Sequence, residues 1–255
     1  MSADAVAGSR ILRILQLFEE DSVWTVDAIA RRLEASTSSI YRDVQELTRA
    51  DFLSPVVGGG YVLGPAFVQF DRLARHGDPL IRLAAPRMRE LLAATTQHAV
   101  VVLGRRYRNH VMCVHQEAGD APHPASLYER GVAMPLFRGA TSKAILAFLS
   151  VRTLERVYLE NEEELRQASG TSWKAFRDEL AAIRRAGVVV TRSEIAARRI
   201  GVAAPLFAGE RVIGALSLIS EQRHYRNGRF EEAVKSAAAG ITAALSNEPT
   251  WVPRN

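Results

Sequence analysis

Between Ile11 and Leu47 the apolar positions fall at helical spacing in three separate runs. Ile11, Leu12, Ile14, Leu15 and Phe18 follow Ser9, which suits an N-cap, and Asp21 with Ser22 closes the run. Val26, Ile29, Ala30 and Leu33 form a second stripe, and Ile40, Val44 and Leu47 a third at i, i+4 and i+7. The pattern then changes to strand-like runs, Phe52 to Val57 and Tyr61 to Leu63, around the turn Gly58-Gly59-Gly60. Three helices followed by a glycine-tipped hairpin is the order of a winged helix-turn-helix.

Beyond this the chain alternates longer elements. Pro65 to His76 predicts a connecting helix that stops at Gly77. Asp78 and Pro79 then read as an N-cap and first helical residue for Leu80 to Thr96. Ala99 to Leu103 and His110 to Gln116 predict strands joined by a polar, arginine-rich turn. Ala118 to Pro124 predicts a loop, Leu127 to Phe137 an extended segment, and Gly139 to Leu149 a helix. Thr171 or Ser172 caps a further helix to Arg185, ended by Gly187. Strands follow at Val188 to Arg192, Val202 to Phe207 and Arg211 to Ser220, then a helix from Arg229 to Leu245. A mixed order of this kind predicts an α+β sensor-type sheet. The expected domains are residues 1–64 for the winged helix, 65–77 for a linker helix, 78–247 for the sensor and 248–255 for a loose tail.

On a helical wheel Ile40, Val44 and Leu47 share the core side of the third helix, while Ser38, Tyr41, Arg42 and Gln45 gather on nearly the opposite side. Short hydroxyls at the N-terminal end let a helix sit deep in a major groove, and Arg and Gln bond guanine and adenine edges in bidentate fashion. A helical hairpin with a solvated polar face explains the same letters.

Composition changes this picture in one respect. The chain of 255 residues is 47% hydrophobic and 24% charged, enough for two domains with cores, and its net charge is +5. Residues 1–75 nevertheless hold 8 Arg against 10 Asp and Glu, a net of −2, while residues 76–255 hold 25 Lys and Arg against 18 acidic residues, a net of +7. A case for DNA therefore rests on where the arginines of the first segment point, not on its bulk charge. One cysteine, Cys113, excludes an intrachain disulfide and a cysteine-rich zinc site. No apolar run approaches the roughly 20 residues of a membrane span, and no signal-peptide pattern opens the chain, so a cytoplasmic protein with no membrane partner is expected.

Catalytic chemistry leaves no signature. G-x-S-x-G, Walker-A and G-x-G-x-x-G patterns are missing, and no cofactor is expected. Cys113 and His115 share a strand face near His110 and His123, but a half-buried strand ending in polar residues accounts for them, and no metal is expected. Glu160 and Glu162 to Glu164 read as a solvated helix end.

The stretch TVDAIARRLEASTSSIYRDVQELTRADFLSPVVGGGYVLGPAF resembles the DNA-binding domain of the IclR-type transcriptional regulators. GVAMPLFRGATSKAILAFL, Gly131 to Leu149, resembles that family's Gly-x-x-x-Pro-Leu stretch and the small-residue run after it. IGVAAPLFAGERVIGALSLIS, Ile200 to Ser220, is similar to its Ala-Ala-Pro strand, turn and following strand. The resemblance implies an α+β chain: an N-terminal winged helix-turn-helix, a linker helix and a C-terminal GAF-like α/β effector-binding domain. It implies a homodimer, or a dimer of dimers, that binds double-stranded operator DNA and answers to a small organic effector, more often as a repressor. The DNA contacts it implies are Ser36, Thr37, Ser38, Ser39, Tyr41, Arg42 and Gln45, with Gly59 and Tyr61 on the wing. The effector site it implies includes Ala140, Thr141, Thr191, Glu194, Gly201, Ser217 and Ile219.

Departures from the family pattern bear on that site. Asp43 stands in place of an aliphatic residue, at the edge of the core face, where capping or pairing with an arginine would suit it. Ser142 replaces a glycine, Gly201 a Cys or Ser, Arg198 a glycine and Ile219 a serine. The pocket floor thus loses polar groups while Arg138 and Arg199 stand near it, which favours a carboxylate or aromatic effector held partly by a guanidinium. The arginines can equally face solvent or pair with Glu194. An enzyme or sensor subunit that uses its N-terminal helices for protein contact is the alternative to a regulator, and a chromatin-like protein with no effector a third reading.

Overall fold

The computed structural model describes residues 9–123, 128–169 and 172–248. The expected tail after Glu248, Pro124 at the end of the expected loop, Leu127 at the start of the extended segment, and Thr171 as a cap lie outside them. The chain divides into two compact units, residues 1–77 and 78–255.

In the first unit α1 (Arg10–Leu17), β1 (Trp24–Thr25), α2 (Val26–Leu33) and α3 (Thr37–Arg49) precede a hairpin of β2 (Leu53–Pro55) and β3 (Gly60–Leu63), then α4 (Ala66–His76). The three helical stripes become one core: Ile14, Leu17, Ile29, Ala30, Leu33, Ile40, Val44 and Leu47 bury together with Leu53. Ser9 occupies the N-cap of α1 without a side-chain bond, whereas Thr25 caps α2 by accepting from the Ala28 amide. Between α2 and α3 the chain turns through Glu34 at φ 52, and the Ala35 amide donates to the Ala30 carbonyl at 3.0 Å. The two-residue β1 is an element the sequence pattern does not announce; it pairs with β3, giving the sheet order β1-β3-β2. The wing turn needs its glycines, since Gly58 and Gly59 sit at φ 99 and 85 with open space around them. Phe67 and Phe70 of α4 pack on Phe52 with ring centroids 5.6 and 5.7 Å apart.

The second unit opens with α5 (Pro79–Ala94), β4 (Ala99–Tyr107), β5 (His110–Ala118), β6 (Ala133–Pro135) and α6 (Ala140–Leu146). It continues with α7 (Val151–Glu160), α8 (Glu162–Ser169), α9 (Trp173–Ala186), β7 (Val189–Arg192), β8 (Arg199–Ala208), β9 (Arg211–Glu221) and α10 (Arg229–Leu245). Six antiparallel strands run in the order β6-β5-β4-β9-β8-β7. One core holds α5 and α10 residues such as Met88, Phe230 and Val234 with Val101, Leu216 and Leu218 of the sheet. The other holds α6, α7 and α9 residues such as Ile145, Tyr158 and Phe176 with Val100, Val102 and Ala215. Alternation along the strands divides side chains between the two layers.

One sequence expectation is corrected. Strands β4 and β5 continue almost to their shared tip, so the arginine-rich turn is mostly strand. Leu154, Val157 and Tyr158 bury to make α7 a helix of its own. The acidic run does lie at helix ends: Glu160 closes α7, and Glu162, Glu163 and Glu164 open α8, where the positive N-terminal dipole end suits them. As expected, Asp78 caps α5 through the Leu80 amide at 2.9 Å, Ser172 caps α9, and Gly187 ends it at φ 68.

Candidate functional site

Two surfaces carry chemistry, one in each unit. The first is α3. Burial of Ile40 and Val44, both 0% exposed, fixes which way the helix faces. Thr37, Ser38, Tyr41 and Arg42 are exposed as a result, with Ser36 at the N-cap. The Ser36 hydroxyl bonds that of Ser39 at 2.9 Å and approaches that of Ser38 at 3.4 Å, so the hydroxyls form a chain at the helix start. Gln45 is half-buried and donates to the Tyr61 hydroxyl at 3.4 Å, linking α3 to β3. The Tyr61 ring packs on the core, while Gly59 lies at the open wing tip. Asp43 forms a two-bond pair with Arg10 of α1, one bond at 3.0 Å, which answers the question its position raised. α3 is thereby braced against α1 on the side away from Tyr41.

The second surface is a small recess above the β8 and β9 strands. Ala140, Thr141, Thr191, Glu194, Arg199, Gly201 and Ile219 all line it. Ser217 does not; it is fully buried behind the wall, where its hydroxyl bonds Thr141 Oγ1 at 2.8 Å. Arg138 also lies outside the lining and donates Nε and a terminal nitrogen to the Glu194 carbonyl at 3.3 Å. Tyr128, Ile195, Ala196 and Ile200 complete the walls and were not anticipated. Tyr128 comes from a loop without periodicity, so spacing could not reveal it. A glycine at 201 keeps the floor open, because a Cβ there would lie 3.1 Å from the Ala140 Cβ.

Charge is distributed around this recess in pairs. Glu194 accepts from the Gly139 amide at 3.2 Å and from Lys143 Nζ at 3.0 Å, and Lys143 also holds Glu179 at 2.8 Å. Burial pulls the Lys143 pKa down, but the bond to Glu179 and the Glu194 charge outweigh it, so the net shift is upward. The lysine therefore stays charged at neutral pH, and its contribution to stability fades only as alkaline pH rises through the raised value. Burial pushes the Tyr128 hydroxyl up despite its bond to Ser142, so it acts as a neutral donor, here to the Arg138 carbonyl at 2.9 Å. Arg199 at the rim approaches Glu221 at 3.5 Å.

Elsewhere, Cys113 is buried and burial lifts its thiol to about 11. His115 bonds Glu117, two positions along the same strand, at 3.0 Å, and Arg89 holds Glu117 at 2.7 Å. No group of three or more potential metal ligands occurs among the described residues.

A helix-turn-helix unit whose third helix exposes hydroxyls and a guanidinium, joined to a second unit built on a six-stranded sheet with a recess, is the architecture of a DNA-binding transcriptional regulator. The comparisons agree. Residues 73–243 match the model of the bacterial transcriptional regulator IclR C-terminal domain, and residues 10–57 match a helix-turn-helix domain. The chain belongs to the IclR family of transcriptional regulators, which are not enzymes. It is 26% identical over 241 residues to the HTH-type transcriptional regulator KipR of Bacillus subtilis (strain 168), covering 92% of this chain and 94% of KipR. A crystal structure of an IclR transcriptional regulator from Alicyclobacillus acidocaldarius matches 92% of this chain and 97% of its own, with TM-score 0.77 at 24% identity. An IclR homolog from Microbacterium hydrocarbonoxydans, crystallised with 4-hydroxybenzoate, matches 93% of this chain and 98% of its own, with TM-score 0.76 at 25% identity. No helix among the described residues is long and apolar enough to cross a membrane.

Proposed function

We propose that the chain is a cytoplasmic repressor that reads operator DNA through residues 36–45 of α3 and the wing, and releases it when a small organic acid fills the recess. The observation that carries the reading is the outward face of α3: Tyr41 is 54% exposed beside Arg42, opposite the fully buried Ile40 and Val44. Selection of bound duplexes from a random pool, followed by binding of the selected site to Arg42→Ala, tests it. The substitution lowers affinity, and an unchanged affinity on every fragment refutes the reading. Repression is the sign the family resemblance favours; transcription from the selected promoter rises when the gene is deleted.

For the effector, a relative's complex with 4-hydroxybenzoate supports an aromatic carboxylate, and so do the apolar lining and the Arg199 rim. A thermal-shift series of benzoates against the matching neutral amides decides it: stabilisation by the amides alone excludes an anion. Assembly as a homodimer or a dimer of dimers is supported by α4, where Phe67, Val68, Phe70 and Leu73 are 36%, 74%, 54% and 59% exposed beside Leu63 at 45%. An apolar face of this kind is suited to a second copy of itself across a two-fold axis.

A further inference from the structure

The charge of this chain is placed away from the unit that reads DNA, with net −2 over residues 1–75 and net +7 over residues 76–255. Long-range attraction to a polyanion must therefore come from the second unit. Part of that charge gathers on the β4–β5 hairpin, Arg105-Arg106-Tyr107-Arg108-Asn109-His110. The strands stay paired to the tip, Arg106 with Val111 and Tyr107 with His110, so that only Arg108 and Asn109 turn.

Alternation separates the arginines. Arg105 is bound to Asp78, the first residue of the second unit, with Nη1 at 2.7 Å and Nη2 at 2.9 Å from its two oxygens. The hairpin end therefore lies against the first residue of the second unit. Arg106 donates Nε to the Arg108 carbonyl at 2.8 Å, which fixes its guanidinium at the tip. Arg156 of α7 reaches the same tip and donates to Asn109 Oδ1 at 2.9 Å, with Glu160 at 3.9 Å from it and Asn109 Nδ2 at 3.5 Å from Glu160. Arg211 begins the adjacent strand β9, beside the exposed Glu210. Burial first, then the Arg156 and Arg211 charges, lower the Arg106 pKa, so these guanidinium groups are close enough to repel. Such crowding is relieved when an anion is shared, and the planar forks match phosphate oxygens. Tyr107, Arg108 and Arg156 are exposed there.

We propose that this hairpin end is a second DNA-backbone contact, which takes phosphates of the duplex flanking the sequence read by α3. It rests on the reading of the winged helix as the operator-binding unit. An acidic protein surface offers similar charge, but duplex DNA is already tethered by the neighbouring unit, at high effective concentration.

The test uses the full-length protein and duplexes of about 20 and about 60 base pairs that carry the selected operator at their centre, with affinity measured against salt. Arg108→Gln and Arg156→Gln, combined, lower the salt slope on the long duplex by about two units and weaken binding there, while the short duplex binds as before. Arg108→Lys, which restores a cation, recovers the slope. Thermal midpoints confirm that the variants fold, and if Arg156→Gln does not, Arg108→Gln alone lowers the slope by about one unit. Wild-type slopes in the variants on the long duplex overturn the proposal. So do unchanged slopes with lost retention on immobilised polyglutamate, which assigns the surface to an acidic protein. Arg42→Ala separates this from the reading beneath it: no loss on either duplex refutes the winged-helix reading, whereas loss on both without a length effect overturns only the hairpin contact.

Discussion

Single residues divide into those whose role follows from local spacing and those whose role depends on the fold. Arg42 is of the first kind, on the exposed side of a helix whose other side must bury. If it bonds a base edge, Arg42→Ala costs about 1–3 kcal/mol of operator affinity and relaxes preference at one position; if it bonds a phosphate, the salt slope drops by about one unit instead. Titrating the selected operator at several salt concentrations distinguishes the two. Asp43 was also legible, because a carboxylate at the margin of an apolar stripe calls for a cation, and Arg10 supplies it. Tyr128 and Ser217 show the opposite. Tyr128 enters the recess wall from a loop, and Ser217 reaches Thr141 behind the wall rather than the ligand space, a distinction of one strand face that the sequence cannot draw. Cys113 gives a further expectation. Its thiol, lifted from 9.0 to about 11, holds roughly a hundredfold less thiolate near pH 8 than in the unfolded chain. Alkylation by iodoacetamide is slower in the folded protein by at least about that factor. Because the folded value is the higher one, the neutral thiol's contribution to stability is whole below pH 9.0 and is lost as pH rises toward 11.

At the scale of elements, α3 is held by burial and can be undone there. Ile40→Ala removes a side chain with 0% exposure from the three-helix core, and about 2–5 kcal/mol of stability in that unit goes with it. Chemical denaturation followed by Trp24 fluorescence reports the loss, and operator binding weakens through unfolding even though Ile40 touches no DNA. The recess is controlled from β8. Gly201→Val sets a Cβ 3.1 Å from Ala140 and 3.2 Å from Thr191 Oγ1 and pushes two methyl groups into the floor. The expected outcome is loss of carboxylate-induced thermal stabilisation with operator affinity intact. The helices and strands themselves were largely readable, since Ile40, Val44 and Leu47 keep one period and Arg211 to Ser220 another. The α7–α8 pair is harder to read, because the helical stripe of Leu154, Val157 and Tyr158 is short and runs into the charged residues around Glu160. Strand β1 is too short for any periodicity, and its pairing with β3 is purely tertiary.

For the whole molecule, regulation requires that effector and operator affinities be linked, by about 1–3 kcal/mol in either direction. Operator affinity measured with and without a saturating amount of whichever compound stabilises the protein in the thermal-shift series gives the size of the link, and the affinity for that compound with and without operator must change by the same factor. The exposed face of α4 predicts that Phe70→Glu with Leu73→Glu lowers the sedimentation mass and, with it, the apparent operator affinity, because paired half-sites are no longer read together. Asp78 has a practical consequence for anyone who wishes to exchange reading heads between such regulators. One carboxylate both starts α5 and clamps Arg105. A recombinant hybrid should therefore be joined between Gly77 and Asp78, so that the sensor keeps its own aspartate. A seam placed a few positions later would supply a foreign residue to that clamp, and the graft would inherit a frayed helix together with a guanidinium deprived of its carboxylate.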